Sequence, residues 1–310
     1  MMWDQKPYHS LDFELKKRYG KKVYKLSLNG GMSCPNRDGL IGTNGCIFCS
    51  EGGSGDFASS PLQSISDQIE EAKKRILPKI KNPIDIQYIA YFQAYTNTYA
   101  PVSYLRPLFM EAILHPDVLI LSIATRPDCI NEDILHLLEE LNRIKPVWVE
   151  LGLQTMHEAS AIFIRRGYSL STFENSVKQL ASLGIDVIVH TILGLPKETK
   201  HDMLMTMEYI SILPIQGVKL QLLHILKGTD LGALYEDKTV SELLSMEEYI
   251  DIVLSCIELL PPNMVIHRIT GDGPKKLLIA PLWSANKKLV LNRIHQKMKE
   301  EDRYQGKKYS

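Results

Sequence analysis

The sequence predicts an α/β fold in which helices alternate with the strands of a parallel sheet. The chain of 310 residues is 45% apolar, which is enough for one large domain with a well-buried core or for two small ones. Segments with helical spacing of apolar residues alternate along it with short apolar runs, the pattern of α/β proteins. Those runs are almost continuously apolar, as expected of strands that are covered on both faces.

Each element follows from its own local pattern. A short amphipathic helix at 11–19 precedes an alternating strand at 23–28, which runs directly into a cysteine-bearing loop. Helices are then predicted at 65–76, 103–114, 131–141, 173–183 and 202–213. The strands that follow them are predicted at 84–92, 118–124, 147–153, 186–192 and 218–223. Ser171 and Glu174 have the spacing of a capping box at the fourth of these helices.

Three more elements complete the chain. They are a helix at 245–260 with the capping pair Ser245 and Glu248, a strand at 265–269 and a helix at 287–300. The Gly-Asp-Gly turn at 271–273 is a candidate for receiving a phosphate through its backbone amides.

The ends of the strands favour a barrel over an open sheet. Periodicity alone does not separate these two architectures. Each of six consecutive strands, however, is followed by polar, glycine or proline residues, and barrel enzymes build their sites at the carboxyl ends of their strands. The segments concerned are 34–50, 93–97, 125–128, 154–155, 194–196 and His224.

A loop after the first strand carries three of the five cysteines, with the spacing C-x11-C-x2-C. They are Cys34, Cys46 and Cys49, and the residues between the first two are rich in Pro, Asn, Asp and Gly, which is typical of a loop. Three thiolates on one loop indicate metal ligands, either for an iron–sulfur cluster or for zinc. A closed zinc site needs a fourth ligand, whereas a [4Fe–4S] cluster on three cysteines keeps one iron open. The distant candidates for a fourth ligand are His9, Cys129 and Cys256.

Composition narrows the class of protein further. The 36 basic and 36 acidic residues cancel, so any binding of nucleic acid must use a local patch. Basic residues cluster at 16–25 and at 287–308, and each cluster is either a solvated face or an RNA-facing patch. An odd number of cysteines, grouped in a loop, indicates a reducing cytoplasm rather than a disulfide framework. We expect no membrane segment and no secretory signal, because the chain has neither a long apolar run nor an apolar core in residues 1–10.

The sequence CPNRDGLIGTNGCIFC at 34–49 resembles the cluster loop of radical S-adenosylmethionine (SAM) enzymes, in the long-gap branch related to the catalytic subunit of Elongator. Over nearly its full length, including HRITGDGP at 267–274, the chain is similar to the YtqA/YhcC family, whose YtqA-type members are also called MnmL. The resemblance implies a partial, TIM-like (β/α)6 barrel at 23–230, after a helical segment at 1–22 and before a small C-terminal α/β extension at 231–310.

The resemblance also implies the cofactors and the residues that bind them. The cofactors are a [4Fe–4S] cluster on Cys34, Cys46 and Cys49, and SAM, which chelates the open iron and is cleaved to methionine and a 5′-deoxyadenosyl radical. Phe48 is expected near the adenine, Gln154 is expected to contact SAM, and Arg166 of the Arg-Arg-Gly-Tyr motif is expected to hold its carboxylate. The further cofactor-binding candidates are Gln93, Thr125, Asp128 and His190. The candidates for contact with the substrate are Tyr95, Asn97, Tyr99, His224 and Arg268.

Glu150 is a polar residue predicted inside the barrel. It lies on the same side of its strand as Gln154, so both need polar partners in the interior.

For the function, the resemblance implies modification of a wobble uridine in tRNA, by conversion of its 5-carboxymethylaminomethyl group to 5-aminomethyl. The implied partners are tRNA and an electron donor such as flavodoxin or ferredoxin. Two alternatives stay open: a radical SAM enzyme that acts on a small molecule such as a porphyrin, and a zinc-stabilised RNA-binding module without catalysis.

Overall fold

A seven-stranded parallel sheet, curled into a half barrel, forms the centre of the fold. The computed structural model describes residues 3–53, 55, 58–80, 86–271 and 273–309. The strands of the sheet are β1 (Val23–Leu28), β2 (Gln87–Phe92), β3 (Val118–Thr125), β4 (Val147–Gln154), β5 (Asp186–Leu193), β6 (Gly217–Leu222) and β8 (Val265–Arg268). Each strand pairs in parallel with the next strand of this sheet, so the fold confirms the predicted α/β partial barrel.

The helices begin where the sequence supplies capping side chains. Described in chain order, they are α1 (Leu11–Tyr19), α2 (Ile65–Ile76), α3 (Val102–Leu114), α4 (Glu132–Asn142), α5 (Glu158–Phe163), α6 (Leu170–Ser182), α7 (Lys200–Ser211), α8 (Asp230–Glu236), α9 (Met246–Leu259) and α10 (Lys287–Glu300). Side-chain oxygens accept a backbone N–H at the starts of most of these helices. The capping residues are Ser10, Ser64, Asn131, Ser169, Thr199, Thr229, Ser245 and Asn286.

The predicted boundaries of α1, β1, α2 and α10 are confirmed, and the other predicted elements differ by a few residues at their ends. The capping box at α9 is confirmed, but the one at α6 is wrong. That helix starts earlier, because the Ser169 side chain accepts the N–H of Thr172 and ends the preceding turn. Glu174 instead accepts a hydrogen bond from Tyr209, 2.9 Å away.

Two predicted features fall partly outside the described residues. Residues 84 and 85 of the predicted strand at 84–92 lie outside the described residues, as does Asp272 of the Gly-Asp-Gly turn. Short elements at α5, α8 and the antiparallel ribbon of β7 (Ile225–Leu226) and β9 (Leu278–Ala280) were not predicted.

The strand predicted beyond the barrel belongs to its sheet. In β8, Val265 and Ile266 pair in parallel with Gly217 and Val218 of β6. The sheet therefore has a seventh strand, which is contributed by the C-terminal part of the chain.

The interior of the half barrel is layered. One apolar side chain from each of β1 to β5 joins Leu15 of α1 in a cluster at the amino ends of the strands: Val23, Ile89, Ile120, Trp148 and Ile188. Two residues further along the same strands stand Lys25, Tyr91, Ser122, Glu150 and His190. Because side chains two residues apart share one face of a strand, an apolar plug closes the bottom and a polar layer lies above it.

The two basic clusters lie away from the open end or are paired with acids. Lys16 and Arg18 belong to α1 at the closed end of the barrel and form ion pairs with acidic side chains. At the C-terminus, Arg293 pairs with Glu247, and Arg303 pairs with Glu258. No helix in the described part of the chain has the length and apolar character that crossing a bilayer requires.

The C-terminal tail is anchored by one buried amide. Gln305 is 1% exposed, and its Oε1 accepts the backbone N–H of His9 at 2.7 Å. Its Nε2 donates to the carbonyls of Pro261 and Met264 at 2.7 and 2.8 Å. One side chain thus joins the N-terminal segment, the end of α9 and the approach to β8.

We expect Gln305→Ala to lower the free energy of unfolding by about 2–4 kcal/mol, because three buried backbone groups lose their partners. Urea or guanidinium unfolding measures the change. Gln296→Ala, on the exposed surface of α10, is the matched control, for which we expect a change within about 0.5 kcal/mol. Equal stabilities of the two variants would contradict the anchoring role.

Candidate cofactor and substrate cavity

A cavity of about 1250 Å³ lies at the carboxyl ends of the barrel strands. It collects most of the residues that the sequence singles out. All three loop cysteines line it. The other predicted residues that line it are Phe48, Gln93, Tyr95, Thr125, Gln154, Arg166, His190, His224 and Arg268.

Three predicted site residues do not line this cavity. Asp128 accepts two hydrogen bonds from the guanidinium of Arg126, at 2.9 and 2.8 Å. Asn97 is fully buried and donates to two backbone carbonyls at the ends of β2 and β3. The Tyr99 hydroxyl forms a hydrogen bond with Asp38 of the cysteine loop. This hydrogen bond raises the pKa of Tyr99.

The cysteine loop is held by two side chains of its own CPNRDG sequence. Asn36 is buried, and its Nδ2 contacts Cys46 Sγ at 3.5 Å and the carbonyl of Arg165 at 2.7 Å. Arg37 donates to the carbonyls of Cys49 and Ser50 at 3.2 and 2.6 Å. The contacts of Asn36 fix the loop to the turn after α5, and those of Arg37 join two parts of the loop to each other.

Tyr95 supports the same loop from the end of β2. Its hydroxyl donates to the carbonyl of Glu51 at 2.6 Å, and the Arg37 guanidinium lies 5.6 Å from its ring centroid. A Cβ on Gly53 would lie 2.3 Å from the ring, so only glycine allows this approach. Tyr95 lines the cavity mainly as a support of the loop, although the sequence suggested substrate contact.

One thiol of the loop, that of Cys46, is prepared to ionise, whereas the hydrogen bond with Cys46 and burial raise the pKa of Cys49 well above its usual range. A hydrogen bond from Cys49 lowers the pKa of Cys46 to about 7, and the charge of Arg126 acts in the same direction. Thiolates are the form in which cysteine binds metals. The loop therefore presents a favourable environment for metal-bound sulfur.

The donor set fits a [4Fe–4S] cluster with one open iron better than a closed zinc site. Cys129 does not line the cavity, and Cys256 is buried within α9. His9 contacts Glu14 and the carbonyl of Pro262, among the residues that close the barrel bottom. None of the three proposed fourth ligands lines the cavity with the loop cysteines. Three thiolates at the rim of a large cavity leave room for a ligand on the cluster.

The end of β4 is shaped for a ligand. Gln154 has a φ of +67°, in the left-handed region that costs a non-glycine residue about 1–2 kcal/mol. Its Oε1 is buried and has no hydrogen-bond partner among the described residues. A Cβ on Gly152 would lie 2.8 Å from the Gln154 amide nitrogen, so the glycine makes space for this side chain. A strained residue with an unpaired buried acceptor at a cavity wall indicates a ligand contact.

Arg166 is 1% exposed and mostly engaged by the backbone. Its Nη1 donates to the carbonyls of Leu153 and Thr155, and its Nε donates to the carbonyl of Tyr168. Its guanidinium thus ties the turn after α5 to the end of β4. Binding of the SAM carboxylate by Arg166 stays a prediction, and the structure adds this positioning role.

Glu150 is the centre of a buried polar network on the cavity floor. Its Oε1 accepts from Lys25 Nζ at 2.6 Å and from Ser122 Oγ at 2.7 Å. Its Oε2 contacts His190 Nε2 at 2.7 Å and accepts from Lys219 Nζ. Five strands meet through this carboxylate, so the polar company expected for Glu150 is present.

The charges of the network are strongly coupled. Burial opposes ionisation of Glu150, but Lys219 and Lys25 hold the pKa of this carboxyl well below its usual range. Burial lowers the pKa of Lys219, and the nearby charges of Lys25 and Arg268 lower it further against the attraction of Glu150. Burial and Lys219 lower the pKa of His190 to about 4. The imidazole is therefore neutral at physiological pH.

Sequence reasoning missed four of these residues. Lys25 was assigned to a basic surface cluster, and Lys219 was passed over in a strand of otherwise buried residues. The alternation of side chains along a strand could have revealed Lys25. It lies two residues after Val23 of the apolar plug, so both side chains point into the barrel. No pattern in the sequence indicates which loop carbonyls Asn36 and Arg37 bind.

We expect Arg37→Ala to weaken the hold of the loop on a cluster, since the carbonyls of Cys49 and Ser50 lose their donor. The rate of iron release under air should be about tenfold higher than in the unaltered protein, which is the effect expected from losing a charged hydrogen bond. Arg143→Ala, on the exposed end of α4, is the matched control. Equal rates of iron loss would show that Arg37 does not support the loop.

We expect the His190 ring to remain neutral between about pH 5.5 and 8. Because the unfolded chain takes up this proton at higher pH, the residue favours unfolding as pH falls from about 6.5 towards 4. NMR titration of the ring measures its pKa. In Lys219→Met the pKa should rise, since a repelling charge is removed, and a normal titration in the unaltered protein would contradict the network.

Comparison with known proteins agrees with this geometry. Residues 39–210 match the Radical SAM superfamily, and residues 215–300 match the Radical_SAM C-terminal domain. The chain is 45% identical to YtqA of Bacillus subtilis (strain 168) over 303 residues, which is 98% of this chain and 93% of that protein. It is 36% identical to YhcC of Escherichia coli (strain K12) over 284 residues, covering 91% of this chain and 89% of that protein.

The fold is also similar to that of an archaeal Elp3 from Methanocaldococcus infernus. The TM-score is 0.65 at 15% identity, over 91% of this chain and 64% of that one. Homologues in this family bind a [4Fe–4S] cluster and SAM, the two groups for which the cysteine loop and the wall of the cavity are suited. The chain belongs to the radical SAM superfamily, in the group that contains YtqA and YhcC.

Proposed function

We propose that this radical SAM enzyme modifies the wobble uridine of tRNA and converts its 5-carboxymethylaminomethyl group to 5-aminomethyl. The observation that carries the proposal is the charge of the cavity. Eight Lys or Arg residues line it against one acid, Glu150, among the described residues, and two of the eight, Arg126 and Arg166, pair with Asp128 and Glu158 outside the lining. Such a surplus of positive charge suits a polyanion whose reacting group also carries a carboxylate.

The relatives support an RNA substrate. Elongator complex protein 3 of Schizosaccharomyces pombe is 26% identical to this chain over 179 residues, or 56% of the chain. The resemblance to the Elongator-related branch links the YtqA-type members to this wobble modification. This similarity supports our proposal of tRNA as the substrate.

The basic residues at the mouth of the cavity suit the phosphates of an RNA loop. Lys275 and Lys276 are exposed and line the cavity, as does the half-buried Arg37 of the cysteine loop. Sequence-specific proteins bind RNA largely through bases that are unstacked from loops. An anticodon base could enter between these cations while its backbone stays outside.

Each part of the cavity has a role in the proposed reaction. Bound to the loop cysteines, the cluster and SAM would supply the radical chemistry by which the C–N bond of the substrate's side chain breaks and its two-carbon carboxymethyl group leaves. Phe48 covers the adenine side, and Gln154 offers its unpaired oxygen to SAM. The charged floor holds the substrate, and the surrounding side chains exclude water. A flavodoxin or ferredoxin of the reducing cytoplasm provides the electron.

Nucleoside analysis of tRNA tests the proposal. We expect a deletion strain to accumulate 5-carboxymethylaminomethyluridine and to lose the 5-aminomethyl product. The intact gene should restore the product, and Cys49→Ala should not, because the cluster needs all three thiolates. Cys256→Ala is the matched control, since this thiol is buried within α9 and away from the cavity. Unchanged nucleosides in the deletion strain would refute the tRNA substrate.

The same material decides between the alternatives. A purified protein that consumes SAM with a porphyrin but not with tRNA would indicate a small-molecule enzyme. The coproporphyrinogen III oxidase of Escherichia coli has a similar fold, with a TM-score of 0.50 at 14% identity. A colourless, zinc-containing protein after anaerobic purification would indicate a non-catalytic module.

A further inference from the structure

The floor of the cavity carries more positive than negative charge. Lys25 and Lys219 surround one acid, Glu150, and all three line the cavity. Lys219 is 4% exposed and Glu150 is 1% exposed, so water screens their charges poorly. Buried cations are normally matched by anions, because an unmatched buried charge is costly. This floor is short of negative charge.

The two lysines retain hydrogen-bonding capacity. An ammonium group has three donors. Lys25 Nζ donates to Glu150 and lies 4.2 Å from the ring centroid of Tyr91. Lys219 Nζ donates to Glu150 and lies 3.3 Å from Tyr91 Oη. Each therefore has a donor available towards the cavity.

Neighbouring groups keep both lysines in place. The Tyr91 ring lies against the two ammonium groups, with its centroid 4.6 Å from Lys219 Nζ. Burial raises the pKa of Tyr91 well above its usual range, so this hydroxyl stays neutral and adds no anion. His190 contacts Glu150, and its Nδ1 lies 3.4 Å from Gln221 Nε2. With a neutral phenol and a neutral imidazole, the charged groups of this network among the described residues are Lys25, Lys219 and Glu150.

We propose that Lys25 and Lys219 form a carboxylate subsite, which binds the carboxylate of the substrate's side chain. Glu150 positions the two ammonium groups and leaves the floor with a net positive charge that one carboxylate neutralises. Charge-assisted hydrogen bonds from two ammonium groups suit such an anion. The carboxylate's identity rests on the proposed function, because the 5-carboxymethylaminomethyl group ends in one.

The subsite also determines how the substrate lies. The base enters from the mouth while the carboxylate reaches the floor, so the carbon atoms between them cross the middle of the cavity below the cysteine loop. The subsite thus selects a uridine that still has its carboxymethyl group over the 5-aminomethyl product, which lacks it.

Two carboxylates are available in the proposed reaction: that of the substrate and that of SAM. Binding measurements on the cluster-loaded protein separate them. The first probe pair is free 5-carboxymethylaminomethyluridine and its methyl ester, which differ in the negative charge of the carboxylate. The second probe is SAM alone.

We expect the acid to bind at least about tenfold more tightly than the ester to the unaltered protein, the effect of one or two charged hydrogen bonds. In Lys219→Met the ratio should fall to about twofold or less, while the affinity for the ester and for SAM stays the same. Lys178→Met, on the exposed face of α6, is the matched control and should keep the tenfold ratio.

Glu150→Gln is a second variant, for which the affinity for the acid should change in the opposite direction. Removing the competing anion should tighten binding of the acid, whereas a collapsed floor would weaken binding of acid and ester together. A ratio near one in the unaltered protein, or no binding of either nucleoside, would overturn the proposal. If Lys219→Met weakens SAM and leaves the ratio intact, the subsite belongs to SAM, and the assignment to the substrate is wrong.

The outcome is separate from that of the tRNA experiment. An acid-to-ester preference that depends on Lys219, together with unchanged tRNA nucleosides, would refute the proposed function and keep the subsite. Altered tRNA nucleosides without such a preference would refute the subsite and keep the function.

Discussion

A single carboxylate with almost no access to water organises the interior of this half barrel. Glu150 receives Lys25 from β1, Ser122 from β3, His190 from β5 and Lys219 from β6. Buried charges are tolerated only when they are paired and hydrogen-bonded, so these strands must keep their register around it. The apolar plug beneath and the open cavity above give the network one dry side and one side that faces a ligand.

The cysteine loop depends in the same way on groups that carry no metal. Its sequence is full of glycine, asparagine and proline and has little regular structure of its own. Its shape comes from Asn36 below, Arg37 within and Tyr95 at the side. The three thiols are therefore presented by a scaffold of backbone carbonyls and side-chain donors. The cysteines are the predicted metal ligands, and these neighbouring residues determine where the cysteines lie.

Much of this arrangement is predictable from the sequence, and the limits have physical causes. Apolar runs locate the six strands from β1 to β6, and the cysteine spacing locates the metal-binding loop, since both signals are local. Lys219 and Tyr91 are far apart in the chain, and only the curl of the sheet brings them together. Ser171 has the sequence context of an N-cap, but Ser169 is the residue that caps α6. Asn97 and Tyr99 follow a strand whose end faces the cavity, but the chain turns there and directs them elsewhere.

The contact between Asn36 and the turn after α5 has a consequence for the order of assembly. The same asparagine amide touches Cys46 Sγ and the carbonyls of Arg165 and Arg166. Whatever immobilises the sulfur also immobilises the turn that carries Arg166. A cluster that fixes Cys46 and any ligand that fixes Arg166 therefore stabilise each other through this one amide, by thermodynamic linkage.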